Sequence, residues 1–360
     1  MKIVIFGLTY SSSWGNGHAT LWRGLCGALV AMQHRVVFFE RDLSYYAGAR
    51  DMPEMPGGRL VLYPFWDEAL PAARSEIRDA DVVIVTSYCP DGCAAIEILD
   101  DTRGLRVFYD MDTPVTLSAW SRGEPLSYLP SRGLVDFDLV LSFTGGDALT
   151  QLKKHLGAKQ VAPLYGHVDP SIHCRVDARP HYRSDLSYLG TYSPDRQQAV
   201  LKFLIRPAQE KPAMRILIAG AQYPHEFPWS ANTYFVRHLP PSEHPAFFSS
   251  SRITLNVTRG AMARLGWCPS GRMFEAAACG TPVLSDCWEG IGQFFRPGQE
   301  ILVARTDAEI DCVLGLSDQE LAQVGRAGRE RALSEHTSSR RALELIALLQ
   351  RAHAHDFAET

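Results

Sequence analysis

The stretch that decides the fold is SGRMFEAAACGTPVLS, residues 270–285. It contains a glycine near its start, a run of mostly small or apolar side chains, a second glycine and an apolar strand. The small side chains allow the predicted helix Gly271–Ala278 to pack closely on a sheet. Gly280 can end this helix in a left-handed conformation, and Pro282 prevents it from resuming. The pattern therefore predicts a helix–strand unit of an α/β sheet.

Apolar strands alternate with helical segments along the rest of the chain, which is typical of parallel sheets with helices on both faces. In the first half the predicted strands are Ile3–Phe6, Val36–Glu40, Leu60–Tyr63, Val82–Thr86, Arg106–Tyr109, Leu139–Ser142 and Gln160–Ala162. In the second half they are Leu186–Leu189, Arg215–Ala219, Ile253–Val257, Pro282–Ser285 and Ile301–Val303. The predicted helices are Ala19–Met32, Glu68–Arg78, Gly92–Leu99, Asp147–Leu156, Pro194–Leu204, Gly271–Ala278 and Asp307–Leu314.

This alternation predicts two doubly wound domains. We expect an N-terminal domain over residues 1–167, a linker over 168–184, a second domain over 185–335 and a C-terminal helix over 336–360. The linker loses periodicity and contains several prolines and histidines. The tail from Asp318 to Arg351 is predicted to be helical with charged faces. In such sheets ligands bind beyond the carboxyl ends of the strands, here in a cleft between the halves.

Composition narrows the class of protein. The chain has 360 residues, 46% of them hydrophobic and 21% charged, so a large core is available. A net charge of -4 without long charge runs argues against nucleic-acid binding. The N-terminus begins directly with a strand, and no apolar run reaches the length of a membrane span. Eight scattered cysteines without a Cys-x-x-Cys pair predict reduced thiols, a cytoplasmic location and no metal site.

One acid, Glu275, interrupts the helix of residues 271–278. Burying a carboxylate without a partner is costly. The vicinal hydroxyls of a bound ribose are one suitable partner. The alternative is a packed structural unit in which Glu275 caps a neighbouring segment.

The first strand runs into a glycine-rich loop that contains Gly15, Asn16 and Gly17 and is followed by His18. The glycines allow the backbone to approach a ligand, and the helix start offers N–H groups to an anion. The loop lacks the third glycine of a dinucleotide fingerprint. His18 can act as a base toward an acceptor hydroxyl, because imidazole titrates near working pH. The alternative is a histidine whose ring is satisfied by local backbone.

Two acids, Asp110 and Asp112, follow the strand Arg106–Tyr109. If the strand continues, both side chains point to one face, and their repulsion raises one pKa. Such a carboxylate is a second candidate for the base. The alternative is that Asp112 or Thr113 caps the helix that follows Pro114.

The second half supplies candidates for binding the phosphates and base of a nucleotide. Most follow predicted strands, where Gly190 and a helix start form a seat for phosphate and Arg196 matches its oxyanions. The candidates are Gly190, Thr191, Tyr192, Arg196, Gly220, Tyr223, Arg259, Ser270, Gly271, Arg272 and Glu275. Arg196 has a simpler alternative as a solvated residue on a helix surface, and Tyr223 has one as a loop aromatic.

Residues 270–285 resemble the donor-site helix of GT-B glycosyltransferases. Together with 109–114, 188–196, 255–259, 288–290 and 300–303, they resemble the spore-maturation-protein (CgeB-type) glycosyltransferase family. The resemblance implies a GT-B fold of two Rossmann-like domains, with a C-terminal helix that crosses back to the first. It also implies a nucleoside-diphosphate sugar as co-substrate, no metal or other cofactor, and Glu275 as the ligand of the ribose.

One position departs from the pattern. Many retaining GT-B enzymes carry a second glutamate eight residues before the ribose glutamate, where this chain has Trp267. The departure favours an inverting glycosyltransferase in which His18, or else Asp112, deprotonates a glycan, small-molecule or protein acceptor. The rival hypotheses are a nucleotide-sugar epimerase of the same fold and a non-catalytic nucleotide-sugar-binding or scaffold protein.

Overall fold

The computed structural model describes residues 1–356. The chain forms two compact units. One contains residues 1–165 together with the C-terminal helix Ser338–Asp356, and the other contains residues 166–337. Each unit is built on one parallel sheet.

The first unit has a seven-stranded sheet in the order β3-β2-β1-β4-β5-β6-β7. Its strands are β1 (Lys2–Gly7), β2 (Arg35–Arg41), β3 (Arg59–Tyr63), β4 (Val82–Thr86), β5 (Leu105–Asp110), β6 (Leu139–Ser142) and β7 (Val161–Pro163). All of the pairings are parallel. The strands are largely apolar and buried because helices cover both faces of a parallel sheet.

The helices of the first unit connect these strands. They are α1 (His18–Ala31), α2 (Ser44–Ala47), α3 (Trp66–Arg78), α4 (Gly92–Ile96), α5 (Thr113–Ser121) and α6 (Asp147–Leu156), with a 3-10 turn at Leu99–Asp101. The C-terminal helix, α15 (Ser338–Asp356), packs against α1 and therefore belongs to this unit.

The second unit repeats this topology with six parallel strands in the order β10-β9-β8-β11-β12-β13. They are β8 (Ser184–Leu189), β9 (Ile216–Gly220), β10 (Thr233–Arg237), β11 (Ser251–Asn256), β12 (Val283–Asp286) and β13 (Leu302–Ala304). The helices are α7 (Gln197–Val200), α8 (Arg206–Glu210), α9 (His244–Ser249), α10 (Gly260–Leu265), α11 (Gly271–Ala278), α12 (Ile291–Phe294), α13 (Asp307–Leu314) and α14 (Asp318–Glu335). Shorter turns lie at Pro180–Tyr182, Pro194–Arg196 and Pro241–Glu243, and Leu201–Ile205 is π-helical.

The predicted fold class is confirmed, since both units are doubly wound parallel sheets. The predicted helix at residues 271–278 has those bounds, and Gly280 has the expected positive φ of 75°. In both sheets the strand order reverses beside the first strand of the unit, between β1 and β4 and between β8 and β11. Ligands of such sheets bind at the carboxyl ends of the strands at this reversal.

Two elements, the strand β10 and the helix α9, were not predicted. The tail that was predicted to be helical consists of two helices, since α14 ends at Glu335 and α15 begins at Ser338. His336 lies in the break and its ring contacts those of Phe274, Phe294 and Phe295.

Within residues 1–356, no helix combines the length and the apolar character that crossing a bilayer requires.

Candidate functional site

Glu40 holds the loop after β1 in place. Its carboxylate is fully buried at the end of β2 and accepts hydrogen bonds from the backbone N–H groups of Tyr10 (2.7 Å) and Ser11 (2.9 Å). It also accepts from the hydroxyls of Thr9 (3.0 Å) and Ser11 (2.6 Å). A buried carboxylate with this many donors is fully compensated. These hydrogen bonds hold the loop against β2. This role of Glu40 could not be predicted from sequence, because its partners lie in a segment that is distant along the chain.

Asn16 occupies the start of α1, which differs from the expectation of a free helix N-terminus. Its Oδ1 accepts hydrogen bonds from the N–H groups of His18 (3.0 Å) and Ala19 (3.1 Å). These two groups are not available to an anion, so the loop is a weaker phosphate seat than the sequence indicated. Gly15 has a positive φ of 67°, which its glycine identity permits, and Gly17 has open space where a side chain would lie.

His18, the first residue of α1, is partly buried with its Nδ1 shielded from solvent. Nδ1 has no hydrogen-bond partner among the described residues. Burial lowers the pKa of the ring to about 4, because a charged imidazolium loses its hydration there. At neutral pH the ring is therefore neutral and can accept a proton. The alternative of a ring satisfied by local backbone does not hold at Nδ1.

Tyr88 links Asp112 to His18, because it contacts both residues. The Tyr88 hydroxyl donates to Oδ2 of Asp112 at 3.0 Å, and its ring meets that of His18 edge-on at 5.7 Å between centroids. Asp112 occupies the N-cap position of α5, but its side chain makes no capping hydrogen bond. The sequence did not indicate Tyr88, which has a positive φ of 63° in the loop after β4.

Asp110, the other predicted acid, differs from Asp112 in its burial and its hydrogen-bond partners. It is fully buried, and its Oδ1 accepts hydrogen bonds from the N–H of Asp112 (3.1 Å) and the hydroxyl of Thr116 (3.0 Å). Burial raises its pKa to about 6, against the lowering effect of those two donors. The strand ends at Asp110, so it does not continue to Asp112 and the condition for both acids to share one extended face is not met. Asp110 shapes the turn that carries Asp112.

In the second unit, the backbone comes into close contact at the ends of two adjacent strands. Gly190 follows β8, and Gly220 is the last residue of β9. A Cβ on Gly220 would lie 2.0 Å from the carbonyl oxygen of Gly190, so only glycine fits. The hydroxyl of Tyr223 donates to the same carbonyl at 3.0 Å. The Tyr223 ring packs among those of Tyr192, Phe227, Trp229 and Phe235. Tyr223 therefore has a structural role at the end of β8, in addition to its predicted contact with the nucleotide base.

Two arginines converge beside Gly190. Arg196 donates through Nη1 to the Thr191 carbonyl at 3.3 Å, and Arg272 donates through Nη1 to Oδ1 of Asn256 at 3.3 Å. A Cβ on Gly190 would lie 3.1 Å from Nη2 of Arg272, so the guanidinium borders the strand end. Burial lowers the pKa of Arg272, and the positive charge of Arg196 lowers it further.

The two guanidinium groups are incompletely compensated. The Nε atoms of Arg196 and Arg272 are buried and have no hydrogen-bond partner among the described residues. Buried charged donors are normally paired. The carboxyl end of β8 is thus a place where positive charge converges and an anion would satisfy free donors.

The other predicted contacts are dispersed around this point. Arg259 pairs with Asp195, with 3.2 Å between Nε and Oδ2, and is therefore already neutralised. Ser270 is the N-cap residue of α11, without a side-chain capping bond, and Gly271 and Arg272 begin the helix. A Cβ on Gly271 would lie 3.9 Å from Oε1 of Glu275, so this oxygen faces the first turn of α11.

The other carboxylate oxygen of Glu275 faces two histidines that the sequence did not connect with it. Oε2 lies 3.7 Å from Nδ1 of His244 and 4.0 Å from Nε2 of His173. Burial acts to raise the pKa of Glu275, but its interactions with His173, His244 and Arg272 outweigh this effect and lower the pKa to about 2. The carboxylate is therefore ionised.

Residues 196–347 match the family described as Glycosyl transferase-like. No curated protein sequence matches the chain. Solved structures match it over nearly the whole chain. Sucrose-phosphate synthase from Thermosynechococcus elongatus superimposes with a TM-score of 0.74 at 14% identity, covering 98% of this chain and 99% of that one.

Two further neighbours were solved with nucleotides. HepE from Anabaena, in complex with UDP and glucose, has a TM-score of 0.66 at 12% identity and covers 98% of this chain and 100% of its own. An α-glucosyltransferase in complex with UDP and a DNA 13-mer has a TM-score of 0.67 at 15% identity, with 97% and 99% covered. These likenesses show the GT-B fold.

Proposed function

We propose that this chain transfers a sugar from a nucleoside-diphosphate sugar to a hydroxyl-bearing acceptor, with inversion at the anomeric carbon. The second unit binds the donor, and the first unit binds the acceptor. The observation that carries the proposal is the pair Arg196 and Arg272 at the carboxyl end of β8, whose buried Nε atoms have no hydrogen-bond partner among residues 1–356. A diphosphate supplies acceptors for such donors, and arginine matches its geometry.

The arginines also supply the catalytic electrostatics. The leaving nucleoside diphosphate gains charge as the glycosidic bond breaks, and fixed positive groups stabilise that charge. For this reason we propose that the departing diphosphate needs no Mg²⁺ or Mn²⁺. Support from the site is indirect: Oδ1 of Asp110 already accepts two hydrogen bonds, and Oδ2 of Asp112 accepts one from Tyr88. Titrating Mg²⁺ or Mn²⁺ into the enzyme should leave the rate unchanged.

In the first unit, His18 is the preferred base and Asp112 the alternative. His18 is neutral at working pH, and its Nδ1 has no partner among the described residues. In this mechanism the ring takes the proton of the acceptor hydroxyl as the oxygen attacks the anomeric carbon. The CgeB-type subfamily and a cytoplasmic location remain predictions from the sequence.

The first experiment is a thermal-shift screen of nucleoside diphosphates and their sugars, since specific binding raises the melting temperature by mass action. UDP and UDP-glucose come first, because neighbours of the same fold were solved with them. We expect UDP to stabilise the protein and uridine to do so far less. Incubating the bound donor without acceptor then tests function: slow hydrolysis supports a transferase, an altered sugar supports an epimerase, and an unchanged donor supports a binding protein.

A further inference from the structure

Three titratable side chains form a cluster: His173, His244 and Glu275. Only Glu275 has a role in the proposed transfer reaction. His173 lies in the segment between β7 and β8, His244 begins α9, and Glu275 lies on α11. One ring nitrogen of each histidine and one carboxylate oxygen of Glu275 all lie within 4.8 Å of one another. The cluster lies within a single unit of the protein.

The three polar atoms face each other without hydrogen bonds. The two nitrogen–oxygen distances, 3.7 and 4.0 Å, exceed the 2.7–3.2 Å typical of N–H···O bonds. His173 is 4% exposed, and neither of its ring nitrogens has a hydrogen-bond partner among the described residues. Such a group needs either a proton-sharing partner or a metal to offset the loss of its hydration.

The tautomer of His244 determines which of its ring nitrogens can bind a cation. Its Nε2 lies 3.3 Å from the carbonyl oxygen of Leu239, which can only accept, so Nε2 carries the proton. In the neutral ring, Nδ1 therefore presents a lone pair toward the Glu275 carboxylate. A lone pair and a carboxylate oxygen that face each other in a buried site repel, and a cation placed between them would bind both.

We propose that this cation is a transition metal ion, Zn²⁺ in the first instance, bound by Nε2 of His173, Nδ1 of His244 and Oε2 of Glu275. Two imidazoles and one carboxylate, with a fourth position left for water, are a donor set that zinc uses. A tetrahedral ion with bonds of about 2.0–2.1 Å places its ligands about 3.3 Å apart. The two nitrogen–oxygen separations exceed this by less than about 1 Å, and all three atoms lie within 4.8 Å of one another, so metal binding requires the side chains to move closer together.

The metal would join three separate segments of the unit. It would fasten the segment that precedes β8 to α9 and α11, which already pack against each other. Oε1 of Glu275 faces Gly271 and stays free of the ion, so zinc binding and a contact to ribose use different oxygens. A bound ion here would contradict the sequence-based expectation of no metal site.

The test is a titration of the full chain, freed of metal and of any affinity tag, with Zn²⁺ alone against a chromogenic chelator. We expect one high-affinity ion per chain. His173→Ala and His244→Ala should each weaken binding by more than the roughly 10- to 100-fold that loss of an outer-shell partner costs. Cys174→Ser and the exposed-surface variant His155→Ala are matched controls that should bind normally.

Substitution with Co²⁺ gives a readout on the unaltered protein. Tetrahedral nitrogen and oxygen ligation should produce visible d–d bands without thiolate-to-cobalt charge transfer. Absence of stoichiometric binding by the wild-type protein would overturn the proposal and leave a protonated histidine as the cation. Normal binding by both histidine variants, or binding lost only in Cys174→Ser, would overturn it as well. No nucleotide is present in these measurements, so their failure is distinct from a failure of the proposed function.

Discussion

The Tyr88 hydroxyl donates a hydrogen bond of 3.0 Å to Oδ2 of Asp112. Two strand ends of the first sheet are joined in this way, because Tyr88 follows β4 and Asp112 follows β5. The Tyr88 ring also meets the ring of His18 edge-on. The two candidate bases are therefore parts of one constellation, in which Tyr88 is a positioning residue for both.

Replacing Tyr88 with phenylalanine should lower kcat while leaving donor affinity unchanged. The substitution retains the ring against His18 and removes one hydrogen bond to a carboxylate. Such bonds contribute about 1.5–3 kcal/mol, which corresponds to a roughly 10- to 100-fold change in rate if the bond acts in the transition state. Steady-state kinetics and calorimetry with UDP give the two quantities. An unchanged kcat would mean that the bond serves only the fold.

His18→Ala should lower kcat roughly 100- to 10,000-fold, the range expected when a general base is lost. Donor affinity should change little, because His18 belongs to the first unit. Asp112→Asn is the matched comparison, since it retains the shape of the side chain and removes its charge. If Asp112→Asn abolishes turnover and His18→Ala does not, the base is Asp112.

The lowered pKa of His18 predicts a dependence of stability on pH. The folded ring titrates near 4 and an unfolded histidine near 6.5, so the unfolded state binds more protons between these values. Stability contributed by this site is therefore present above about pH 6.5 and is lost as pH falls toward about 4. Denaturant unfolding of His18→Gln should show a weaker pH dependence than wild type in that window, and His155→Gln should not.

Much of the donor half could be predicted from sequence because its signals are local. The bounds of α11 follow from Gly271, Gly280 and the small residues between them. The strand β10 was missed because it lies at the sheet edge with a largely exposed pattern, so it lacks the continuous apolar run of a buried strand.

The contacts among His173, His244 and Glu275 could not be predicted because they depend on tertiary packing. His173 lies in a segment without regular secondary structure, and no spacing rule links it to a helix far along the chain. The same holds for Tyr88 and Asp112, which adjacent parallel strands bring together. Local patterns give the elements and the polar residues at their ends, whereas the partners across strands require the fold.

Arg196→Met and Arg272→Met should each weaken UDP binding, with little effect on the binding of uridine. Each variant removes a guanidinium at the carboxyl end of β8, next to Thr191 for Arg196 and next to Gly190 for Arg272, and retains most of the apolar stem. Loss of a charge-assisted hydrogen bond should cost about 1.5–3 kcal/mol of binding free energy. Arg259→Met is the control, because Arg259 is already paired with Asp195. Equal losses for UDP and uridine would show that the arginines support the site without binding phosphate.

Glu275→Ala should abolish the ability of the protein to distinguish UDP from its 2′- and 3′-deoxy analogues. If Oε1 accepts hydrogen bonds from the ribose, wild-type protein should bind a deoxy analogue more weakly by about 1.5–3 kcal/mol, the value of a hydrogen bond to a charged group. Removing the carboxylate removes that difference, because neither nucleotide then has the partner. For each deoxy analogue, comparing the four affinities of the cycle isolates the pairwise contribution from any general disturbance of the unit.

Calorimetry on the wild-type and Glu275→Ala proteins provides these affinities, and Glu289→Ala serves as a control at an exposed acid in the same unit. We expect Glu289→Ala to discriminate as the wild type does. A Glu275→Ala protein that is folded and still prefers UDP over both deoxy analogues would rule out the ribose contact. Glu275 would then act only through His173 and His244, and the donor ribose would need another partner among the residues around β8 and α11.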